Sequence, residues 1–161
     1  RGELDIYKYE EFKELYFYEP HALQLADGKI ICHLRAENAD ETIFTLYQTV
    51  SLDNGVTWSK PQQIVRDDSG APGHLFMHSS GTLISTFSHR KRPYGIWAIF
   101  SEDNGETWSD ESVLFYGKDT DDLGYPSTIE LPDGDLITAF YTRENDYVPA
   151  VIMQQKWSIE K

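Results

Sequence analysis

Ser51-Leu52-Asp53-Asn54-Gly55-Val56-Thr57-Trp58-Ser59 is the stretch that decides the fold, because the chain contains it twice. Ser101-Glu102-Asp103-Asn104-Gly105-Glu106-Thr107-Trp108-Ser109 follows fifty residues later and is identical at seven of the nine positions. The central Asn-Gly predicts a tight turn between strands, because both residues tolerate positive φ. The preceding aspartate is placed to accept hydrogen bonds from backbone N–H groups of the turn, with the serine hydroxyl in support. We therefore predict two equivalent turns, each followed by a strand whose tryptophan enters the core.

A second repeat surrounds the first and sets the length of the structural unit. Three segments combine a proline, a glycine turn and an apolar strand, and their turn glycines Gly28, Gly81 and Gly134 are spaced by 53 residues. In the first two units the apolar strand is followed by a third strand, the nine-residue box and a fourth strand. A period of about 50 residues containing four strands is typical of the blades of a β-propeller.

The repeats predict an all-β chain of antiparallel blades in a single partial domain. Its segments are residues 1–18, the end of a preceding blade; 19–70 and 71–123, two four-stranded blades; and 124–161, an incomplete last blade. Third strands are predicted at 42–47, 95–100 and 148–153, and fourth strands at 62–65 and 112–115. Residues 4–9 alternate imperfectly and allow a strand, and residues 10–15 allow a short helical turn.

A partial propeller of three blades leaves the outer faces of its two terminal blades exposed, which favours aggregation. A first residue other than Met also favours a piece of a longer protein. We therefore expect the remaining blades to come from a longer chain or from a second copy.

The charge balance excludes several classes of partner. With 27 acidic and 14 basic residues the formal net charge is −13, and no basic tract is present. Nucleic acids and anionic membrane surfaces both require a positive face, so neither is expected as a partner. Cys32 is the only cysteine and lies in an apolar run, which predicts a buried, unreactive thiol and no disulfide. Nothing in the sequence indicates a cofactor, a membrane span or a cellular compartment.

The pattern Ser-x-Asp-x-Gly-x-Thr-Trp resembles the Asp box, or BNR repeat, of sialidases and related β-propeller proteins. This resemblance implies a sialidase-like six-bladed propeller, of which the present chain matches the C-terminal half. It also implies that the boxes stabilise the fold at the rim away from the pocket. The box residues expected to be structural are Ser51, Asp53, Gly55, Trp58, Ser101, Asp103, Gly105 and Trp108.

Two further segments resemble parts of the sialidase active site. Residues 19–35 are similar to a segment that begins with an active-site glutamate, here Glu19, and reaches a substrate-binding arginine, here Arg35, across one hairpin. Residues 124–134 are similar to the segment with the nucleophilic tyrosine, here Tyr125, although Pro126 replaces the usual serine. The resemblance therefore implies that Tyr125 is the nucleophile and Glu19 its base.

The resemblance also implies a further substrate-binding arginine shortly before the second Asp box. Arg90 and Arg92 both fit that place. His21 and His74 lie near the same blade entrance and are expected to line the pocket. No metal site is predicted, because neither histidine belongs to a His-x-x-His pattern or has a Cys partner.

The chemistry of an acidic sugar is consistent with this set of residues. Arginine binds a carboxylate through two parallel hydrogen bonds. An anomeric carbon that already bears a carboxylate repels an Asp or Glu nucleophile, whereas a tyrosine hydroxyl with a glutamate base avoids that repulsion. The leading hypothesis is therefore a fragment of a sialidase-like exo-glycoside hydrolase that acts on terminal acidic sugars of glycans. The sequence lacks a recognisable acid/base aspartate and the opening arginine motif of sialidases, so we expect no activity from the chain by itself.

Other interpretations remain open at the level of sequence. The chain could belong to a non-catalytic propeller that binds glycans or proteins, or to a glycosidase or lyase that uses His21 and His74. Individual residues also have structural alternatives. Glu19 could be a polar residue at a strand entrance, Arg35 could pair with Glu37, Tyr125 could be a packing residue, and residues 90–92 and 119–122 could be solvated loops.

Overall fold

The computed structural model describes residues 4–65 and 70–159, whose strands form three antiparallel sheets. Sheet 1 contains, in order, β1 (Leu15–Gln24), β2 (Ile30–Asn38), β3 (Phe44–Ser51) and β4 (Gln62–Gln63). Sheet 2 contains β5 (Gly70–Met77), β6 (Leu83–His89), β7 (Gly95–Ser101) and β8 (Ser112–Tyr116). Sheet 3 contains β9 (Gly124–Glu130), β10 (Leu136–Thr142) and β11 (Val151–Trp157), with β10 in the centre. The predicted all-β class is confirmed.

Helical structure in the described part of the chain is limited to two 3₁₀ turns, Ile6–Lys8 and Glu10–Phe12. The strand predicted at residues 4–9 is therefore wrong, because this segment turns to bury Ile6 and Phe12 on the same side. The described residues include no helix with the length and apolar character that crossing a membrane requires.

Several predicted strand boundaries differ from those observed. Residues 15–18 pair with residues 35–38 of β2, so the first strand of sheet 1 begins four residues before the blade boundary predicted at residue 19. In sheet 3 the third strand begins at Val151 rather than at residue 148. A turn occupies the preceding residues, and Pro149 has no backbone N–H to donate to a sheet.

The outer face of sheet 1 is covered, contrary to the expectation that both terminal faces are exposed. Cys32 and Leu34 of β2 point to this face, where they pack with Ile6 and Phe12 of the 3₁₀ turns in one hydrophobic cluster. Cys32 is a free, buried cysteine, as predicted, and burial raises its pKa to about 11. Sheet 3 has no such cover among the described residues, and Ile129 and Ile152 are 56% and 81% exposed there.

Hydrophobic clusters between the sheets hold them side by side. Leu46 of sheet 1 packs with Phe87 and Ile99 of sheet 2. Between sheets 2 and 3, Ile96 packs with Leu123 and Phe140. The first strands of the three sheets, β1, β5 and β9, are consecutive neighbours. Side chains at the same height on these three strands are therefore brought to one place.

The two Asp boxes form the predicted turns, with the same hydrogen bonds in both copies. Asp53 Oδ1 accepts the backbone N–H of Thr57 at 2.8 Å and the Ser51 hydroxyl at 2.9 Å, and Ser51 Oγ accepts the N–H of Gly55 at 2.8 Å. Asn54 and Gly55 have φ of 59° and 81°, as the turn prediction requires. In the second box Thr107 N–H donates to Asp103 Oδ1 at 2.9 Å.

These hydrogen bonds have a common electrostatic effect. The hydroxyl and backbone donors of Thr57 lower the pKa of Asp53 to about 2, and those of Thr107 lower the pKa of Asp103 to about 2. Both boxes lie at the end of the sheets where β3 and β7 finish, next to the glycine turns. Glu19 and Arg35 lie towards the opposite end of sheet 1, which we call the pocket end.

Candidate active site

The first strand of each sheet contains a β-bulge at an equivalent position. The pairing register shifts by one residue between Tyr18 and His21 in β1 and between Gly70 and Gly73 in β5. In β9 the shift lies opposite residues Ala139 and Tyr141 of the neighbouring strand β10. The bulged dipeptides are Glu19-Pro20, Ala71-Pro72 and Tyr125-Pro126. Proline is compatible with a bulge, where the ladder is interrupted and one backbone N–H is not required for pairing. Pro126 therefore follows the pattern of this chain, although it departs from the sialidase pattern.

The bulges place Glu19 and Tyr125 in an unusual backbone conformation. Their φ angles are 50° and 51°, in the left-handed region that residues with a Cβ rarely adopt. Such strain is concentrated at functional sites, where the surrounding structure holds it in place. A bulge also redirects the side chain that it contains.

Glu19 and Tyr125 meet although 106 residues separate them in sequence. The Tyr125 hydroxyl donates to Glu19 Oε1 at 2.5 Å. They line a cavity of about 200 Å³ together with Pro20, His21, Pro72, Gly73, His74 and Pro126. The hydrogen bond to Glu19, and then partial burial, raises the pKa of Tyr125. The phenol is therefore protonated at neutral pH, and its proton points at the Glu19 carboxylate.

Arg35 lies beside this pair and is shared between two carboxylates. Its Nη1 is 3.3 Å from both Oε1 and Oε2 of Glu19, and its Nε donates to Glu37 Oε2 at 3.0 Å. The Phe44 ring lies 4.6 Å from the guanidinium carbon. The structural alternative, a pair with Glu37, and the predicted position beside Glu19 are thus both present. With two carboxylate partners, Arg35 orients Glu19 more than it supplies free positive charge.

Arg90, in contrast, has no carboxylate partner within the described part of the chain. Its Nε donates to the Leu123 carbonyl at 3.1 Å and its Nη2 donates to the Tyr141 hydroxyl at 3.2 Å. The guanidinium carbon lies 5.7 Å from the centre of the Tyr125 ring. Arg90 is therefore the uncompensated cation next to the Glu19–Tyr125 pair.

Arg92 lies elsewhere. It is paired with Asp119 at 3.1 Å, its guanidinium carbon is 5.2 Å from the centre of the Tyr94 ring, and its side chain is 70% exposed. Of the two arginines that the sequence offered for this place, Arg90 contacts the pair and Arg92 contacts a neighbouring surface.

The sequence analysis did not identify Tyr141 or the role of Asp122. The Tyr141 ring stacks on that of Tyr125 with centroids 6.1 Å apart, and its hydroxyl donates to Asp122 Oδ1 at 2.7 Å. Burial, and then this hydrogen bond, raises the pKa of Tyr141 to about 12. A signal was available, because Tyr141 follows its turn glycine by seven residues, as Arg35 does in the first unit. Equivalent register positions of the second strands therefore face the site.

His21 and His74 lie together in the cavity, with ring centroids 4.5 Å apart. The Nδ1 atoms accept backbone N–H groups, that of Leu75 on His21 at 3.1 Å and that of Thr128 on His74 at 3.3 Å. Each neutral ring must then carry its proton on Nε2. Burial lowers the pKa of both, that of His74 to about 4. At neutral pH the two rings are uncharged donors, and neither has a free lone pair with which to act as a base.

No metal-binding group is formed by three or more His, Cys, Asp or Glu side chains in residues 4–65 and 70–159.

Comparison with known proteins gives one family match. A family model described as a BNR repeat-like domain matches residues 11–138. No curated protein matches the chain.

Several solved structures share the fold at low sequence identity. A protein of unknown function from Dyadobacter fermentans is 21% identical, with a TM-score of 0.80 over 92% of this chain and 40% of that one. An α-L-arabinanase from Penicillium chrysogenum, complexed with arabinobiose, is 18% identical, with a TM-score of 0.73 over 88% and 46%. The Hadza microbial sialidase Hz136 is 22% identical, with a TM-score of 0.61 over 88% and 32%. The chain spans less than half the length of each.

Proposed function

The chain belongs to the BNR repeat-like family and forms part of a β-propeller, and from that premise we propose that it is part of a sialidase-like exo-glycoside hydrolase. Its substrates are terminal acidic sugars of glycans. Tyr125 is the nucleophile, and Glu19 is the base that takes its proton. The remaining blades, from a longer chain or a second copy, complete the pocket.

The observation that carries this proposal is the 2.5 Å hydrogen bond from the Tyr125 hydroxyl to Glu19 Oε1. A tyrosine nucleophile needs a base within hydrogen-bonding distance, because its hydroxyl is protonated at neutral pH. Both residues lie on bulges with a strained backbone, on strands from different sheets. A packing tyrosine has no need of such a contact, so the arrangement favours a catalytic pair over the structural alternatives.

The positive charge of Arg90 supports an acidic sugar as the substrate. Because Arg35 is already paired with Glu19 and Glu37, Arg90 is the cation available to a substrate carboxylate. His21 and His74 add two neutral Nε2–H donors, which suit sugar hydroxyl groups. When the anomeric carbon of a sugar lies next to Tyr125, a carboxyl group on that carbon lies near Arg90.

The geometry disfavours the alternative in which the histidines perform acid/base chemistry. In the tautomers that Leu75 and Thr128 impose, neither ring has a free lone pair to accept a proton from a sugar carbon. The other alternative, a non-catalytic propeller that binds glycans, keeps the same pocket contacts and differs only in turnover. An activity assay separates it from the proposed hydrolase.

The experiment compares three variants in a protein that contains this chain with its remaining blades. Hydrolysis of a fluorogenic sialoside is measured for Tyr125→Phe, for Glu19→Gln and for Tyr147→Phe as the matched control, since the Tyr147 side chain is 97% exposed and takes no part in the hydrogen bond of the pair. We expect no measurable turnover with Tyr125→Phe, a loss of about 10²–10⁴-fold with Glu19→Gln, and no change with the control. Wild-type activity in Tyr125→Phe would refute the proposed nucleophile. An inert wild type that still binds the sugar would identify a binding module.

A further inference from the structure

A second concave surface, away from the Glu19–Tyr125 pair, has features of a ligand site. It is a cavity of about 560 Å³ formed where β8 ends and where the loop between β6 and β7 turns back. Its side chains are Arg92, Tyr94, Tyr116, Lys118 and Asp119, and we call it the Tyr94–Tyr116 ledge. None of its residues takes part in the hydrogen bonds of the pair.

The ledge is held in place by close contacts between its two segments. The backbone N–H of Gly117 donates to the Tyr94 carbonyl at 2.7 Å. A Cβ on Gly95 would lie 2.2 Å from the Phe115 carbonyl oxygen, so only glycine allows this approach. Sheet 2 also lies between sheets 1 and 3, so that further blades are not needed to complete the ledge. The ledge is therefore preformed in this chain.

The ledge lies at the same end of the fold as the pair. Arg90, which contacts Tyr125, and Arg92, which contacts Tyr94, are two residues apart in the same loop. Their Cα atoms are therefore at most about 7 Å apart. Both surfaces lie at the pocket end, because residues 89, 95 and 116 are neighbours across sheet 2. A glycan whose terminal sugar occupies the pocket can thus reach the ledge with one of its next sugars.

The chemistry of the ledge favours an acidic sugar. Arg92 and Lys118 place two cations together in a chain whose net charge is −13. The ion pair of Arg92 with Asp119 is largely exposed, with side chains 70% and 81% accessible, and such pairs contribute little stability. A ligand carboxylate or sulfate can therefore replace Asp119. Tyr116 is 65% exposed and offers an aromatic face on which a sugar ring can pack.

We propose that the Tyr94–Tyr116 ledge is a second glycan subsite, which binds a carboxylated or sulfated sugar further along the chain whose terminal sugar enters the pocket. This inference rests on the proposed function and narrows its substrate class to acidic oligosaccharides and polysaccharides. The subsite contributes affinity and orientation and takes no part in bond cleavage.

The test uses isothermal titration calorimetry with the 161-residue chain and three tetrasaccharides of equal length. One carries carboxylates, one carries sulfates and one is uncharged. The variants are Arg92→Ala and Tyr116→Ala, and Lys156→Ala is the control, because Lys156 is an exposed cation that pairs with Asp133 and Asp135 at the opposite end of the sheets. Of the carboxylated and sulfated tetrasaccharides, we expect the one with the higher affinity to bind at least about fivefold more tightly than the uncharged one. Each ledge variant loses about fivefold of that affinity, and the control loses none.

The outcomes separate the subsite from the proposed hydrolase. Equal affinity for charged and uncharged tetrasaccharides, no binding, or unchanged affinity in both ledge variants would overturn the subsite. Circular dichroism of each variant confirms that a loss of binding does not reflect unfolding. If the ledge variants behave as expected while Tyr125→Phe leaves turnover of the completed protein intact, the subsite stands and the proposed nucleophile falls. The carboxylated and sulfated arms show which anion the ledge prefers.

Discussion

Glu19 and Tyr125 have the two strained backbones that bring the candidate chemistry together. A residue with a Cβ in the left-handed region costs about 1–3 kcal/mol, which the rest of the fold must offset. The equivalent bulge of sheet 2 has Ala71 at this position, with no side chain able to act in catalysis. Of the three bulges, the two that have a reactive side chain at this position are thus the two whose side chains meet at 2.5 Å. The proline in each bulge marked these positions in the sequence, but only the strand register showed that each proline lies in a bulge.

Gly124 precedes Tyr125 and shows how tightly the site is packed. Its φ is 144°, and a Cβ there would lie 2.9 Å from Ser88 Oγ and 3.2 Å from Arg90 Nη2. We expect Gly124→Ala to lower the free energy of unfolding by about 2–4 kcal/mol, from backbone strain together with overpacking. Gly28→Ala is the matched control, because φ is 91° and no atom lies within 4 Å of the added Cβ.

Urea denaturation of both glycine variants measures the difference. The control should lose only the backbone cost, about 1–2 kcal/mol. An equal loss in the two variants would show that Ser88 and Arg90 move to accommodate the added methyl group without a measurable loss of stability. The site would then be less rigid than its contacts indicate.

At the scale of the element, the Asp box depends on one buried hydroxyl. Ser51 is 1% exposed, accepts the N–H of Gly55 and donates to Asp53. We expect Ser51→Ala to destabilise the chain by about 1–3 kcal/mol, because it leaves the Gly55 N–H without its partner. Ser112→Ala in the exposed strand β8 should cost less than about 0.5 kcal/mol. Thermal and urea unfolding report both values, and equal stabilities would show that water replaces the hydroxyl.

The Asp boxes also predict how stability depends on pH. Asp53 and Asp103 have a pKa of about 2 in the folded chain, below the ordinary value of 3.8. The unfolded chain therefore binds protons first as the pH falls. The stabilisation from each ionised box is complete above about pH 4 and is lost as the pH falls towards 2. In unfolding experiments between pH 2 and 5, Asp53→Asn with Asp103→Asn should reduce the slope of stability against pH, and an unchanged slope would contradict this assignment.

The elements also show why some features were predictable from sequence and others were not. The hydrogen bonds that Ser51 and Asp53 make in the turn lie within the nine-residue box, so local turn chemistry predicted them in detail. The blade pattern followed from the 53-residue repeat. The segment at residues 4–9 was misassigned because its cover over Cys32 and Leu34 depends on tertiary packing. The choice between Arg90 and Arg92 depended on strand register across two sheets, which no local pattern encodes, whereas the spacing of Tyr141 from Gly134 was a usable signal.

On the scale of the whole molecule, the two terminal faces differ. The 3₁₀ turns cover sheet 1, whereas sheet 3 exposes Ile129 and Ile152. A further blade thus has an apolar surface available on sheet 3, the sheet that carries Tyr125. The pocket at the Glu19–Tyr125 pair measures only about 200 Å³ and is formed from one side. We therefore expect that the same further blade completes the pocket and covers sheet 3.

This geometry leads to a prediction for the isolated chain. Exo-glycosidic cleavage needs a nucleophile, a base, a proton donor for the leaving group and groups that hold the sugar. The chain offers Tyr125, Glu19 and Arg90, but His21 and His74 are neutral donors at pH 7 rather than acids, and burial holds the pKa of His74 at about 4. General acid catalysis contributes about 10²–10⁴-fold, and an open pocket also loses positioning. We therefore expect no measurable hydrolysis of a fluorogenic sialoside by residues 1–161, with the completed protein as the positive control. Turnover that rises with the square of the chain concentration would instead mean that two copies complete each other's pocket, and Ile152→Lys on the exposed face of sheet 3 should then abolish it.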